Sequence, residues 1–417
     1  MSAKPYDIIV FGATSFVGKL LCGYLASHAS TSGLKWAAAG RSREKLEHMR
    51  ARLCPGAAST PLIVAGAADE SALAALCAQT RVVISTAGPY ALIGEPLVKI
   101  CAASGTDYCD LTGEVQWVRR MLDRYEAMAQ ESGARIVHSC GFDSVPSDLG
   151  VHFLQKTALE RFGRTCSHIK MRVKAARGGF SGGTAASLMN VAKEAAADPA
   201  LRRALKNPYL LCPEEGRPTT RQESLSRPGY DGDFEAWHAP FIMAGINTRV
   251  VHRSNALLNY AYGKDFRYDE AMLTGHGTRG RVTAYAIAGA LTGFVTMNAL
   301  SPTRWFLRRF VLPAPGQGPS PESQKAGFFD LRFFGLAGDG RILCTKVTGD
   351  ADPGYGSTSK MLGQVGARLA ATAREDAKAG GFWTPATLLG DGLIEALQKH
   401  AGLSFEVLES PAPPGKG

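Results

Sequence analysis

The sequence predicts an α/β protein: a Rossmann-type, doubly wound parallel sheet followed by a second α+β domain. Three observations lead there. After Asp7, Ile8-Ile-Val-Phe11 is a short apolar run, as in strands buried on both faces of a parallel sheet, and it opens onto the small-residue turn Gly12-Ala-Thr-Ser-Phe-Val-Gly18. Similar runs then alternate with helical spacings as far as residue 150. Beyond it, His168-Ile-Lys-Met-Arg-Val-Lys174 alternates cleanly, as a half-exposed antiparallel strand does.

After the first turn, Leu21 and Leu25 stand four apart, at helical spacing. Gly12 permits a tight exit from the strand, and the bare backbone lets N–H groups approach a pyrophosphate. Gly18 lets the helix pack closely on the strand, with the helix N-terminus toward the phosphates. Gly12, Ala13, Thr14, Ser15, Phe16, Val17 and Gly18 are therefore candidate cofactor-binding residues, with Ser15 at the middle position where glycine is usual. The next strand, Leu34–Ala39, ends at Gly40-Arg-Ser-Arg43. NAD sites carry Asp or Glu at this point for the ribose 2′-hydroxyl. Arg41 and Ser42, followed by Arg43 and Lys45, suit a 2′-phosphate instead. Cations usually avoid helix N-termini, which argues against a merely solvated first turn. The expected cofactor is NADP(H).

A strand at Pro61–Ala65 and a helix at Asp69–Ala78 follow. Strand Val82–Ser85 ends at Thr86-Ala-Gly-Pro-Tyr90. Helix Pro96–Ser104, strand Tyr108–Asp110 and helix Val115–Glu131 lead to strand Arg135–His138, which ends at Cys140-Gly-Phe-Asp-Ser144. Ligands sit at the carboxyl ends of parallel strands. Thr86, Ala87 and Gly88 thus join the cofactor set, while Tyr90, Asp143 and Ser144 are expected near the nicotinamide. Hydride transfer often needs one acid, and Tyr90 and Asp143 are the candidate donors. The plainer alternatives are a Tyr90 ring packed on its loop and an Asp143 that caps the next turn. Tyr260-Ala-Tyr-Gly-Lys264 has the spacing of a short-chain reductase dyad but lies far beyond the cofactor unit, and is read as chance.

In the second half a helix is expected at Ala185–Ala197, a polar loop or lid at Pro213–Asp233, and strands near Thr248–His252, Asp330–Phe334 and Leu343–Gly349. Val282–Thr303 is a run of 22 residues without charge, with Gly289 and Gly293 in it, and Trp305–Leu312 is aromatic and basic. The apolar segment 282–312 is expected to be a buried helix or dimer face, with contact to a membrane surface as the alternative. Tyr355–Ala377 and Asp391–His400 look helical, ahead of a disordered Pro/Gly tail. The domains read as 1–150 for NADP, 151–350 for substrate and dimerisation, and 351–417 as helices that pack back on the first.

Composition narrows the function. With 417 residues, 45% hydrophobic and 20% charged, the chain is neither disordered nor a disulfide miniprotein. The net charge of +10 favours acidic partners. No basic run with interleaved aromatics is present, so nucleic acid is not expected. Nine Cys stand singly without a CxxC pair, which points to reduced thiols and no metal. The N-terminus runs straight into the first strand without a signal-peptide pattern, and a cytoplasmic protein is expected, peripheral to membrane if 282–312 reaches it.

Several longer motifs carry a family resemblance: the turn at Gly12–Gly18, Gly88-Pro-Tyr-Ala-Leu-Ile-Gly-Glu-Pro96, Tyr108-Cys-Asp-Leu-Thr-Gly-Glu114 and Gly141-Phe-Asp-Ser-Val-Pro-Ser-Asp-Leu-Gly150. Ser181-Gly-Gly-Thr184, Arg253-Ser-Asn-Ala256, Tyr262-Gly-Lys-Asp-Phe266 and Asp352-Pro-Gly-Tyr-Gly356 extend it over nearly the whole chain. The sequence resembles the saccharopine dehydrogenase-like oxidoreductases, in particular the trans-acting enoyl reductase branch. The resemblance implies a Rossmann domain with NADP, and an NADPH-dependent reduction of an enoyl or carbonyl group on a hydrophobic lipid or polyketide-like substrate carried by a synthase. Ser144, Arg253 and Asn255 are the candidate substrate residues. Two rival readings keep the same fold: a nucleotide-binding scaffold without chemistry, and an amino-acid dehydrogenase of saccharopine type.

Overall fold

The computed structural model describes residues 4–28, 31, 33–178, 182–299, 318–372 and 378–409. In its first part the chain runs β1 (Tyr6–Phe11), α1 (Phe16–Ser27), β2 (Trp36–Gly40), α2 (Arg43–Arg50), β3 (Leu62–Val64), α3 (Glu70–Ala78), β4 (Thr80–Ser85), α4 (Tyr90–Ile93), α5 (Glu95–Ser104), β5 (Asp107–Asp110), α6 (Val115–Ser132), β6 (Arg135–Val137) and α7 (Val145–Phe162). It continues with β7 (Cys166–Arg177), α8 (Gly182–Ala197), α9 (Pro199–Ala204), β8 (Gly229–Asp231), β9 (Ala236–Pro240), α10 (Ala244–Leu257), β10 (Arg267–Gly275) and α11 (Gly277–Ala299). The last elements are α12 (Pro321–Lys325), β11 (Phe328–Ala337), β12 (Ile342–Gly349), α13 (Thr358–Ala371), β13 (Gly381–Trp383), α14 (Pro385–His400) and β14 (Leu403–Leu408).

Two seven-stranded sheets result, ordered β13-β6-β5-β4-β1-β2-β3 and β14-β12-β11-β7-β10-β9-β8. Every pairing in the first is parallel, and in the second only β7 with β10 is. The first order, from β6 to β3, is that of a dinucleotide-binding sheet.

The continuous apolar character of β1 has a direct cause. Ile8 and Val10 face α1 and α13, Ile9 and Phe11 face α3 and α5, and Ile8, Ile9 and Val10 are wholly buried. Each such side chain contributes roughly 1.5–3 kcal/mol by leaving water. α7 links the two layers: Leu149, Leu154 and Ala158 share one core with Ile169 and Met171 of β7 and Phe333 of β11. The carboxyl ends of β1, β4, β5 and β6 are thereby held against the second sheet and its helices.

Some expectations shift. Thr248–His252 is not a strand but lies inside α10, where Ile246, Val250 and Ser254 are buried at helical spacing. A five-residue run of mixed β-branched residues cannot decide between the two periods. Pro213–Asp233 is largely coil, fixed by Tyr209 OH donating to the Thr220 carbonyl (2.7 Å) and Gln222 Nε2 to the Phe266 carbonyl (2.9 Å), with β8 at its end. The helix expected at Tyr355–Ala377 starts as a π turn, Pro353–Ser357, and continues as α13. α11 leans on β9, β10 and α8 and exposes Val282 and Tyr285. The rest of the apolar segment, 300–312, and the Pro/Gly tail from 410 lie outside the described residues. No described helix is long and apolar enough to cross a membrane.

Candidate active site

A cleft of about 2030 Å³ runs along the carboxyl edge of the first sheet and is closed on its far side by α8, α10 and the Pro353–Tyr355 turn. Gly12, Thr14, Ser15, Phe16 and Val17 line it, as do Arg41, Ser42, Thr86, Ala87, Gly88, Tyr90 and Asp143.

The first turn requires its glycines. Gly12 adopts φ +83°, and a Cβ there would stand 2.8 Å from the Ala87 nitrogen. At Gly18 it would stand 2.3 Å from the Gly12 carbonyl oxygen. Ser15 explains its own departure from glycine, because it is the N-cap of α1. Its Oγ accepts from the Gly18 N–H (2.9 Å) and meets Thr86 Oγ1 (3.1 Å), which donates to the Gly12 carbonyl (2.9 Å). The serine thus ties the turn to the end of β4. Ala13 is wholly buried behind the turn, and Gly18 lies in the buried face of α1.

Arg41 is exposed just after β2, and no acid among the described residues pairs with it. Ser42 caps α2 through the Lys45 N–H, and Lys45 lines the cleft beside them. The nearby acids are committed, Asp69 as the cap of α3 and Glu70 to Lys99 (3.0 Å). A glycine turn ahead of a capped helix, with free cations at the end of β2, fits a dinucleotide with a 2′-phosphate.

Two loops at the other end differ in chemistry. Tyr90 lines the cleft but is 3% exposed, and its hydroxyl donates to the Ser85 carbonyl (2.9 Å). Burial pushes that phenol well above its usual range, and the charge of Asp110 adds to the shift. Asp143 lies in the turn between β6 and α7. Burial pushes its carboxyl up to about 7, with Asp110 adding and its own backbone N–H opposing. Asp110 is itself surrounded by donors: Tyr108 OH (3.0 Å), the N–H groups of Thr112 and Ser139 (both 3.1 Å) and His138 Nδ1 (2.7 Å). His138 sits in a cage of Tyr108, Trp117 and Phe382 rings.

The expected substrate residues part company. Ser144, beside Asp143, is fully buried and donates to Asn247 Oδ1 (3.0 Å), while Asn247 Nδ2 donates to Glu270 (3.0 Å) and Ser147 (3.1 Å). Arg253 and Asn255 are not among the residues lining the cleft. Arg253 donates to the Leu211 and Phe382 carbonyls (both 2.7 Å) and pairs with Glu126 (3.2 Å). Asn255 holds the 258–263 loop through the Gly263 carbonyl (2.8 Å) and the Tyr262 N–H (2.9 Å). Tyr260 and Lys264 are likewise outside the cleft lining, the ammonium lying over the phenol ring.

Sequence reasoning missed Glu114. Wholly buried, it accepts from the Tyr90 N–H (2.8 Å), the Ala91 N–H (3.3 Å), Ser187 Oγ (3.0 Å) and Asn190 Nδ2 (3.4 Å). It joins the loop after β4 to α8 across the cleft. Burial pushes its carboxyl up against those four donors. The one available signal was an acid placed just before a helix in the Tyr108–Glu114 motif. Beside Ser187 and Asn190 of α8, the lining carries the apolar side chains of Phe142, Leu188, Phe241, Ile242, Met243 and Ile246.

Residues 8–137 match the saccharopine dehydrogenase NADP-binding domain. A protein of Mycobacterium tuberculosis H37Rv, named provisionally a trans-acting enoyl reductase, is 40% identical, with the alignment covering 97% of this chain and 99% of that one. The trans-acting enoyl reductase of Mycobacterium bovis BCG is 37% identical, covering 94% and 96%. Among solved structures, apo saccharopine dehydrogenase (L-Glu forming) from Saccharomyces cerevisiae shares the fold, with a TM-score of 0.54 at 13% identity, covering 97% of this chain and 100% of that chain. The chain belongs to the saccharopine dehydrogenase-like, NADP-dependent oxidoreductases, in the branch of the trans-acting enoyl reductases.

Proposed function

We propose that the protein reduces the α,β-double bond of a hydrophobic enoyl thioester, with NADPH bound along Gly12–Gly18, Arg41, Ser42 and Thr86–Gly88. The observation that carries this reading is Asp143, a carboxyl held near neutrality at the apolar end of a dinucleotide cleft. NADPH, when bound, supplies the hydride, one hydrogen with two electrons, for the β carbon. Asp143 gives its proton to the α carbon, so that the C=C bond becomes C–C, and the carboxylate is reprotonated from solvent through the cleft. Tyr90 keeps its proton on Ser85 and shapes the wall. Glu114 holds α8 over the reacting end and limits the entry of water. The apolar lining favours a hydrocarbon chain over a dicarboxylic amino acid, whose recognition needs a pair of arginines: Arg253 is turned elsewhere, and besides Arg41 the described lining holds one arginine, Arg249.

The test is titration of the purified protein with NADPH and NADH, followed by nicotinamide fluorescence, for wild type and Arg41→Asp. Wild type should prefer NADPH, and the substitution should weaken NADPH by roughly 10- to 100-fold and NADH little. Equal weakening of both would remove Arg41 from the 2′-phosphate site.

A further inference from the structure

Arg249, in the second turn of α10, lines the cleft together with Lys193 of α8 and Leu205, which follows α9. Its Nη1 donates to the Gly245 carbonyl (2.7 Å) and Thr248 Oγ1 (3.3 Å), and its Nη2 to the Leu205 carbonyl. Its Nε is buried without a partner. No carboxylate among the described residues comes within ion-pair reach of Arg249 or Lys193. A half-buried guanidinium without a counter-charge is costly, and burial already pulls this one below its usual pKa. Outside the lining, next to Leu205, Arg202, Arg203 and Lys206 are exposed and have no ion-pair partner among the described residues, whereas Glu194 pairs with Arg120 (3.0 Å) and Asp198 caps α9. Arg249 and Lys193 stand on the α8–α10 side of the cleft, whereas Arg41 and Lys45 follow β2 on the adenosine side.

We propose that Arg249 and Lys193 bind the phosphate of a pantetheine arm, whose thioester lays its acyl chain along the apolar lining toward Asp143. This site rests on the enoyl-thioester reading and adds the handle by which the substrate is held. The arm arrives either on soluble coenzyme A or on a carrier domain, and the phosphate chemistry is common to both. An acidic carrier would also meet Arg202, Arg203 and Lys206 at the rim, where complementary charge speeds and orients docking.

The experiment uses the full-length protein, NADPH and one trans-2-enoyl chain in three forms: the N-acetylcysteamine thioester, which has no phosphate, the coenzyme A thioester, and the carrier-domain thioester. Arg249→Gln and Lys193→Gln should raise KM for the two phosphate-bearing forms by roughly 10- to 100-fold more than for the first. An equal change for all three, or none, overturns the site. If Arg249→Gln fails to fold, the exposed Lys193→Glu carries the same comparison. Arg202→Glu with Arg203→Glu separates the sources. A loss confined to the carrier-borne form assigns a carrier, and its absence assigns soluble coenzyme A. If wild type binds NADPH yet reduces none of the three, the reductase reading fails. Calorimetry with 4′-phosphopantetheine then decides the site alone: weaker binding to Arg249→Gln supports it, and equal or absent binding to wild type overturns it.

Discussion

The loops after β5 and β6 each present a carboxyl whose pKa burial raises, and they surround it in opposite ways. Glu114 is wholly buried and accepts four hydrogen bonds, two from the start of α4 and two from α8. Asp143 faces the cleft with one opposing backbone N–H. A carboxylate whose acceptor sites are filled by fixed donors is a tie between elements, since moving it strands every donor. One left with few donors at a cavity wall keeps its proton near neutral pH and has somewhere to send it.

The largest expected effect breaks this contrast at its chemical end. Asp143→Asn should lower kcat by about 10²- to 10⁴-fold, while NADPH affinity, read by fluorescence, stays as in wild type. Wild-type kcat should hold below pH about 7 and fall above it as the carboxyl loses its proton. A profile flat from pH 6 to 9 would return the proton to another donor. At the structural end, Glu114→Ala strands two backbone N–H groups and two side chains. It should cost roughly 2–4 kcal/mol of stability by denaturant unfolding and raise substrate KM. Glu114→Gln should recover part of both; a Glu114→Ala variant as stable as wild type would show the tie to be idle.

A third carboxyl sharpens the comparison with the smallest effect. Glu270 is buried like Glu114, with Tyr268 OH (2.7 Å) and Asn247 (3.0 Å) as donors, yet burial pushes it up to about 7. In the unfolded chain such a group loses its proton near pH 4. The native state therefore holds more protons between about pH 4 and 7, and this share of stability declines as pH rises through that window. Glu270→Gln should flatten the decline by at most about 1 kcal/mol per pH unit in urea titrations. An unaltered slope would mean that Glu270 is already ionised in the fold.

What was legible in the sequence follows from how local each constraint is. The strand, glycine turn and helix at Ile8–Leu25 are set by sterics within twenty residues, and so could be read directly. Arg41 could be singled out because an acid is otherwise demanded at that place, and the structure puts it in the cleft lining. Arg253 and Asn255 were not, because a polar pair on a buried helix face looks the same whether it meets a ligand or, as here, the Leu211, Phe382 and Gly263 carbonyls. Glu114 depends on α8, some seventy residues later, and no spacing announces such a partner. The Thr248–His252 run was decided by what packs on it, which is a tertiary matter.

The first sheet is finished late. α13, with Met361, Leu362 and Val365, covers the Ile8, Val10, Val82 and Ile84 face, and β13 supplies the edge strand beside β6. During synthesis the nucleotide-binding half must therefore wait, one apolar face covered only in part by α1, until more than two hundred further residues have left the ribosome. A fragment ending near residue 150 would carry every glycine and arginine of the cofactor turn and still lack the roof that lets them form a stable site.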